Sequence, residues 1–203
     1  DRHLGNSNWS HGVQAEYIRF HCANWSLIKI PGQPSDYTEA MLKSLLSLAD
    51  VMPTGFHAAK AADVHEGDTV VVFGDGAVGL CAVISAKLLG AKRIIAMSRH
   101  EDRAALARDF GATDIIAERG EEAIQKIMSL TNGYGADAAL ECVGTKQAIE
   151  SAFQAVRAGG RVGRVGVPHD VDYNEWIDSL FWKNIRLGGG VASVARWDKE
   201  ILL

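Results

Sequence analysis

Cysteine is scarce. Cys22, Cys81 and Cys142 are the three in 203 residues, an odd number, far apart and without a CxxC pair. That pattern excludes a disulfide framework and predicts reduced thiols in a cytoplasmic setting. Long uncharged apolar runs and a signal-peptide pattern are also missing, so we expect a soluble, cytosolic protein with no helical membrane span. Neither sign of charge dominates: 21 Lys and Arg stand against 25 Asp and Glu, for a net charge of -4 and a pI near 6.0. Nucleic acid and membrane surfaces are therefore not the expected partners, and small polar or neutral ligands stay open. There is no internal repeat or low-complexity tract. The sequence opens on Asp1 rather than methionine, from which we expect a piece of a longer chain. What is abundant is apolar material, at 47%, enough for one well-filled domain and a fragment of another.

The most informative stretch is TVVVFGDGAVG at 69–79. Val70, Val71, Val72 and Phe73 run without polar alternation, as a strand covered on both faces should, and end in Gly74, Gly76 and Gly79 at GxGxxG spacing. A helix-like apolar pattern follows through residue 89, and a second apolar run at 93–97 supplies the next strand. In such a strand-helix-strand unit Gly74 allows the turn, Gly76 admits a pyrophosphate to bare backbone, and Gly79 lets the helix approach the strand. The N–H groups of Ala77 and Val78, at the positive end of the helix dipole, would hold the phosphates. The competing reading is a plain glycine turn.

Upstream, 13–18 and 25–30 read as short strands, 37–49 as an amphipathic helix with Met41, Leu45 and Leu48 on one face, and 53–62 as a second helix with Pro53 in its first turn. Downstream, strands at 113–117, 136–142, 161–167 and 185–190 alternate with helices at 101–110, 121–130 and 146–157. The rhythm implies right-handed crossovers, hence an α/β Rossmann-type fold: a doubly wound parallel sheet of six strands in the order 3-2-1-4-5-6. Ligands are expected at the carboxyl ends of strands one and four, where the order reverses.

In an NAD-binding unit an acid usually ends the second strand and receives the ribose hydroxyls. Ser98 stands there, followed by Arg99 and His100, so a 2′-phosphate would meet a hydroxyl and a guanidinium with no carboxylate to repel it. The cofactor expected is NADP, with NAD less favoured. The alternative is an ordinary solvated loop, and Glu101 and Asp102 suit a helix N-terminus in either case.

GVQAEYIRF, ADVMPTGFHAA, VVVFGDGAVGL, AKLLGAKRIIAMSRHEDR, FGATDII and GGRVGRVGVP, in this order, resemble the zinc-containing medium-chain alcohol dehydrogenases over nearly the whole chain. The resemblance implies that 1–51 is a remnant of a GroES-like catalytic domain and 52–203 the dinucleotide-binding domain, with zinc in the full-length protein. It places Arg103 near the adenosine ribose, Thr54 against the nicotinamide as the catalytic-site residue, and Val143, Gly166 and Val167 along the nicotinamide side. Thr54 reads otherwise as a helix-surface hydroxyl, and the last three as apolar strand ends. Asp50 reads on its own as the N-cap of the helix near Pro53. The resemblance makes it instead the third catalytic zinc ligand, the other two lying outside this chain. His57, His65, Cys81 and Cys142 are assigned structural roles, and Trp176, Phe181 and Trp182 core or interface roles.

The function implied is hydride transfer between an alcohol or carbonyl substrate and NADP, in a homodimer or tetramer that pairs through 187–191. Three alternatives stay open: a zinc-free quinone reductase of the same superfamily, another zinc oxidoreductase acting on a polyol, threonine or formaldehyde, and a binding-only dinucleotide module.

Overall fold

The computed structural model of the chain describes residues 15–20, 22–169 and 177–202. Within them lie helices α1 (Ala23–Ser26), α2 (Glu39–Leu46) and α3 (Val51–Ala61), then an alternating series. It runs β1 (Thr69–Phe73), α4 (Ala77–Leu88), β2 (Arg93–Met97), α5 (Glu101–Phe110), β3 (Asp114–Ile116), α6 (Gly120–Leu130), β4 (Ala136–Glu141), α7 (Lys146–Ala155) and β5 (Val156–Arg164). It closes with α8 (Ile177–Lys183), β6 (Arg186–Gly189) and α9 (Val194–Ile201). All pairings are parallel and the order is β3-β2-β1-β4-β5-β6, as expected.

Successive residues of β1 point to opposite faces, and both faces are covered. Val71 and Phe73 join Ile95, Met97, Ile127, Ile149 and Phe153 in the core under α6 and α7. Val70 and Val72 join Ala58, Ala59, Leu80, Val83 and Ala86 under α3 and α4. Full burial of each of the three valines is worth about 1.5–3 kcal/mol, which fixes β1 as the centre of the sheet. On the second face small residues set the spacing. A Cβ on Gly55 would lie 2.6 Å from Ala82 N of α4, and one on Gly163 would collide with Ala58 O, so α3 lies directly on α4 and on β5.

The direction of α3 follows from its far end. Arg161, in register with Arg186 at the start of β6, donates to Asp63 O at 2.8 Å and pairs with Asp68 at 2.7 Å. The C-terminal end of α3 therefore meets the sheet's amino edge, and its first turn, with Asp50 and Thr54, projects toward the carboxyl edge, beside the glycine loop.

Several expectations are corrected. Residues 25–30 begin inside α1 and continue without sheet pairing, and 15–18 are bends and irregular chain, while Val13 lies outside the described residues. A strand needs a partner, and the six-stranded sheet takes none from this segment. The helix at 37–49 divides into α2 and a 3-10 turn, Ser47–Ala49, with Met41 exposed and Leu45 and Leu48 half-buried. Helix α3 starts two residues before Pro53. Strand β5 starts at Val156, directly after α7, and ends at Arg164, because Val165 N and Gly166 N turn to Glu141 O at 2.9 and 3.0 Å. Gly166 and Val167 thus stand beyond the strand rather than on it. Trp176 lies outside the described residues.

Trp197 of α9 is buried against α3, edge-on to Phe56, and its Nε1 donates to His57 Nδ1 at 3.2 Å. Burial, then the Arg196 charge, push the His57 pKa below 6.5, while a backbone hydrogen bond to Gly189 acts the other way. A proton on Nδ1 would also remove the acceptor that Trp197 uses. A histidine depressed in this way binds its proton more readily when unfolded, so its contribution is complete above about pH 6.5 and declines as pH falls from there toward the lower folded value. The melting temperature should therefore drop between pH 7.5 and 5.5, and drop less in His57→Gln. Equal drops in both proteins would remove His57 from this role.

Candidate functional site

The glycine loop has the geometry that its three positions predict. Gly74 has φ 113°, in the region that favours glycine, and turns the chain out of β1. A Cβ on Gly79 would collide with Gly74 O, so α4 starts against the strand it leaves. At Gly76 the space is open: nothing stands within 4 Å of where a Cβ would be. The N–H groups of the first turn, including Ala77 and Val78, have no partner within the helix and surround this bare backbone. The site lies where β1 and β4 are neighbours and the strand order reverses, which is where an open α/β sheet accepts ligands.

At the end of β2 the structure corrects the expectation that no carboxylate is present. Ser98 is buried, and its Oγ donates to Asp75 Oδ2 at 2.8 Å; Arg103 Nη1 donates to Asp75 Oδ1 at 3.1 Å. Asp75 sits between Gly74 and Gly76, so one side chain ties the glycine loop, β2 and α5 together. Although burial opposes it, hydrogen bonds from Ser98 and Arg103 and the Arg103 charge hold the Asp75 carboxyl below the usual range. Sequence reasoning missed this residue; the available signal was an acid inside the glycine motif.

Arg99 and His100 are exposed and, with Ser98, line a cleft of about 290 Å³ that extends to Glu101, Arg108 and Lys126. Burial and the nearby Arg99 guanidinium push the Arg119 pKa down, while Asp75 and Glu118 raise it. Two guanidinium groups are thus near enough to repel one another. The acids around them are engaged: Asp75 with Arg103, Glu118 with Lys126, and Glu101 with Arg108. An anion with two charges would relieve that repulsion.

Asp50 is the N-cap residue of α3 by position, but its side chain makes no capping bond. Its Oδ1 accepts a hydrogen bond from Thr54 Oγ1 at 2.9 Å, and its carbonyl accepts from Thr54 N at 2.9 Å. The carboxylate is exposed and Thr54 half-buried. The helix hydroxyl is therefore directed at Asp50 and is not a free surface group. Among the described residues no group of three or more His, Cys, Asp or Glu could hold a metal ion, so those residues offer Asp50 as a candidate zinc donor and not a complete set. Val143 and Val167 are 41% and 67% exposed beyond the ends of β4 and β5, where Gly144 packs against the Val167 backbone.

Comparison with known proteins agrees with this arrangement. The family model described as zinc-binding dehydrogenase matches residues 77–198. An alcohol dehydrogenase of Cupriavidus necator is 36% identical over 160 residues, 79% of this chain and 42% of that protein. An NADP-dependent isopropanol dehydrogenase of Thermoanaerobacter brockii is 35% identical over 202 residues, 97% of this chain and 55% of that protein. The solved structure of an alcohol dehydrogenase from Thermus sp. ATN1 superposes with a TM-score of 0.83 at 32% identity, covering 95% of this chain and 54% of that one. The chain spans about half the length of these relatives. With the sheet order, the glycine cradle and these matches in agreement, the chain belongs to the zinc-containing medium-chain alcohol dehydrogenase family.

Proposed function

We propose that this chain is the cofactor-binding part of an NADP-preferring, zinc-dependent alcohol dehydrogenase, with residues 1–51 belonging to a catalytic domain and 52–203 to the dinucleotide domain. The observation that carries the proposal is the open face at Gly76, tied through Asp75 to Ser98, with the exposed Arg99 guanidinium in the adjoining cleft. The pyrophosphate fits the backbone of Gly76, Ala77 and Val78, and a 2′-phosphate fits Arg99, His100 and Arg119, with Ser98 holding the turn through Asp75. Arg103, held by Asp75, flanks the adenosine ribose. Val143, Gly166 and Val167 carry the nicotinamide.

The chemistry supplied by the bound groups is hydride acceptance by the nicotinamide and Lewis-acid polarisation of the substrate oxygen by zinc. The chain's own residues bind and orient. Asp50 would present a carboxylate to the metal, and Thr54 holds Asp50 through its hydroxyl, as partners of ligating carboxylates do. The exposed valines exclude water from one side of the ring. Small alcohols and their carbonyl products are the substrate class, and β6, at the sheet edge, is the surface on which a dimer or tetramer would pair. A cytoplasmic location agrees with three free cysteines.

The position of Asp75 determines which test of NADP preference is clean. A carboxylate introduced at Ser98 would face the carboxylate already 2.8 Å from its Oγ, so Ser98→Asp would perturb the loop as well as the cofactor. Arg99→Ala avoids this, because Arg99 is exposed. The expected result is that NADP binds the unaltered protein more tightly than NAD, and that Arg99→Ala weakens NADP by about 10- to 100-fold, or roughly 1.5–3 kcal/mol for a charge-assisted contact, with little change for NAD. Equal or tighter NAD binding by the unaltered protein in calorimetric titration would overturn the preference.

A further inference from the structure

Glu141 ends β4 with its carboxylate completely buried, at 0% exposure, an expensive location for an acid unless it is paired and hydrogen-bonded. Its two oxygens are held unequally, Oε1 by hydrogen bonds and Oε2 by an ion contact outside hydrogen-bond geometry. Oε1 accepts from Val143 N at 2.8 Å and Gly144 N at 2.6 Å, and Oε2 lies 3.4 Å from Arg164 Nε. The backbone carbonyl of the same residue accepts from Val165 N and Gly166 N. One residue thus holds both chain segments that leave the carboxyl edge of the sheet at this end of the groove.

The two segments are in close contact. A Cβ on Gly144 would collide with Val167 O, one on Gly166 would collide with Gly144 N and lie 2.8 Å from Glu141 Oε1, and Gly144 O accepts from His169 N at 3.0 Å. Because the packing leaves no slack, the distance from the Glu141 backbone to its Oε1 sets where Val143 stands relative to Val167. A buried ion pair is a weak source of stability compared with an apolar pair of similar volume. Its more direct effect here is to fix a spacing.

We propose that Glu141 is a positioning residue for the nicotinamide end of the cofactor, acting through Val143, Gly166 and Val167 without touching the ring. The inference rests on the dinucleotide reading above. It differs from a purely structural role in a measurable way. A structural role would lower affinity for every ligand of the fold alike, whereas a positioning role affects only ligands that have a nicotinamide.

The probes are NADPH and 2′-phospho-ADP-ribose, which shares the phosphates and adenosine but has no nicotinamide ring. Glu141→Asp keeps the charge and withdraws the carboxylate by one carbon–carbon bond, about 1.5 Å. The expected result, in the protein as it exists, is at least tenfold weaker NADPH binding with 2′-phospho-ADP-ribose within twofold of the unaltered protein. Glu141→Gln keeps the length and an Oε1 acceptor but turns an amide N–H toward Arg164, so it should weaken NADPH binding less than Glu141→Asp does and again leave 2′-phospho-ADP-ribose within twofold. Should the aspartate variant fail to fold, a glutamine variant that weakens both probes to the same degree would overturn the proposal, as would equal effects on both probes, or none, in Glu141→Asp. Failure of the unaltered protein to bind either probe is a separate outcome: it would overturn the dinucleotide reading and this inference with it.

Discussion

Gly76→Val should abolish dinucleotide binding while leaving the fold in place. The backbone at Gly76 has φ -80° and ψ -175°, extended geometry that valine adopts readily, and a side chain there would point into open space. The folded state therefore loses little beyond the poorer capping ability of valine, about 1 kcal/mol. The ligand loses its place, because the branched side chain would occupy the volume where a pyrophosphate meets bare backbone. A loss of at least a hundredfold, on the order of 3 kcal/mol, is expected for NADP and NAD alike in calorimetric titration, with melting within a few degrees of the unaltered protein. Unchanged affinity in a folded variant would return this stretch to the status of an ordinary turn.

Asp50→Ala in the full-length protein should separate a metal ligand from a helix cap. The carboxylate makes no bond to the N–H groups of α3 and receives one from Thr54 Oγ1, at an exposed position. Removing it should cost under about 1 kcal/mol of stability, the scale of one exposed hydrogen bond. Under the proposed role as one of three protein ligands to catalytic zinc, its removal would open a second coordination position. The expected result is loss of stoichiometric zinc by elemental analysis and loss of turnover, with melting of the metal-free proteins nearly equal. A variant that kept zinc and turnover would show that Asp50 is not a ligand.

The sequence made local and periodic features legible. The glycine cradle could be read because each glycine acts on its immediate neighbours: a turn at Gly74, an open face at Gly76, a close approach at Gly79. The strand order could be read because alternating elements with right-handed crossovers leave few topologies. Pairing between distant residues was not legible. Residues 25–30 have strand-like composition, but sheet membership depends on a partner that composition does not name. The early start of β5 was hidden because Val156 pairs with Ala136 across a register shift.

The polar contacts that organise the site were missed for the same reason. Asp75 and Ser98 are 23 positions apart and meet only after β1 and β2 pair. Glu141 attracted no reading within the strand at 136–142, because the Val143, Gly144 and Arg164 groups that surround it come together only in the fold. Asp50 was legible as the residue before a helix. That its oxygen turns to Thr54, and not to the helix N–H groups, required coordinates.

Alcohol oxidation coupled to NADP reduction is read from the absorbance of NADPH formed when the full-length protein is given small primary and secondary alcohols. Reduction is expected with at least one of them, with a kcat/KM at least tenfold higher with NADP than with NAD and loss of turnover when zinc is removed by chelation. Tight dinucleotide binding without reduction by any alcohol would contradict it and leave a binding module in its place.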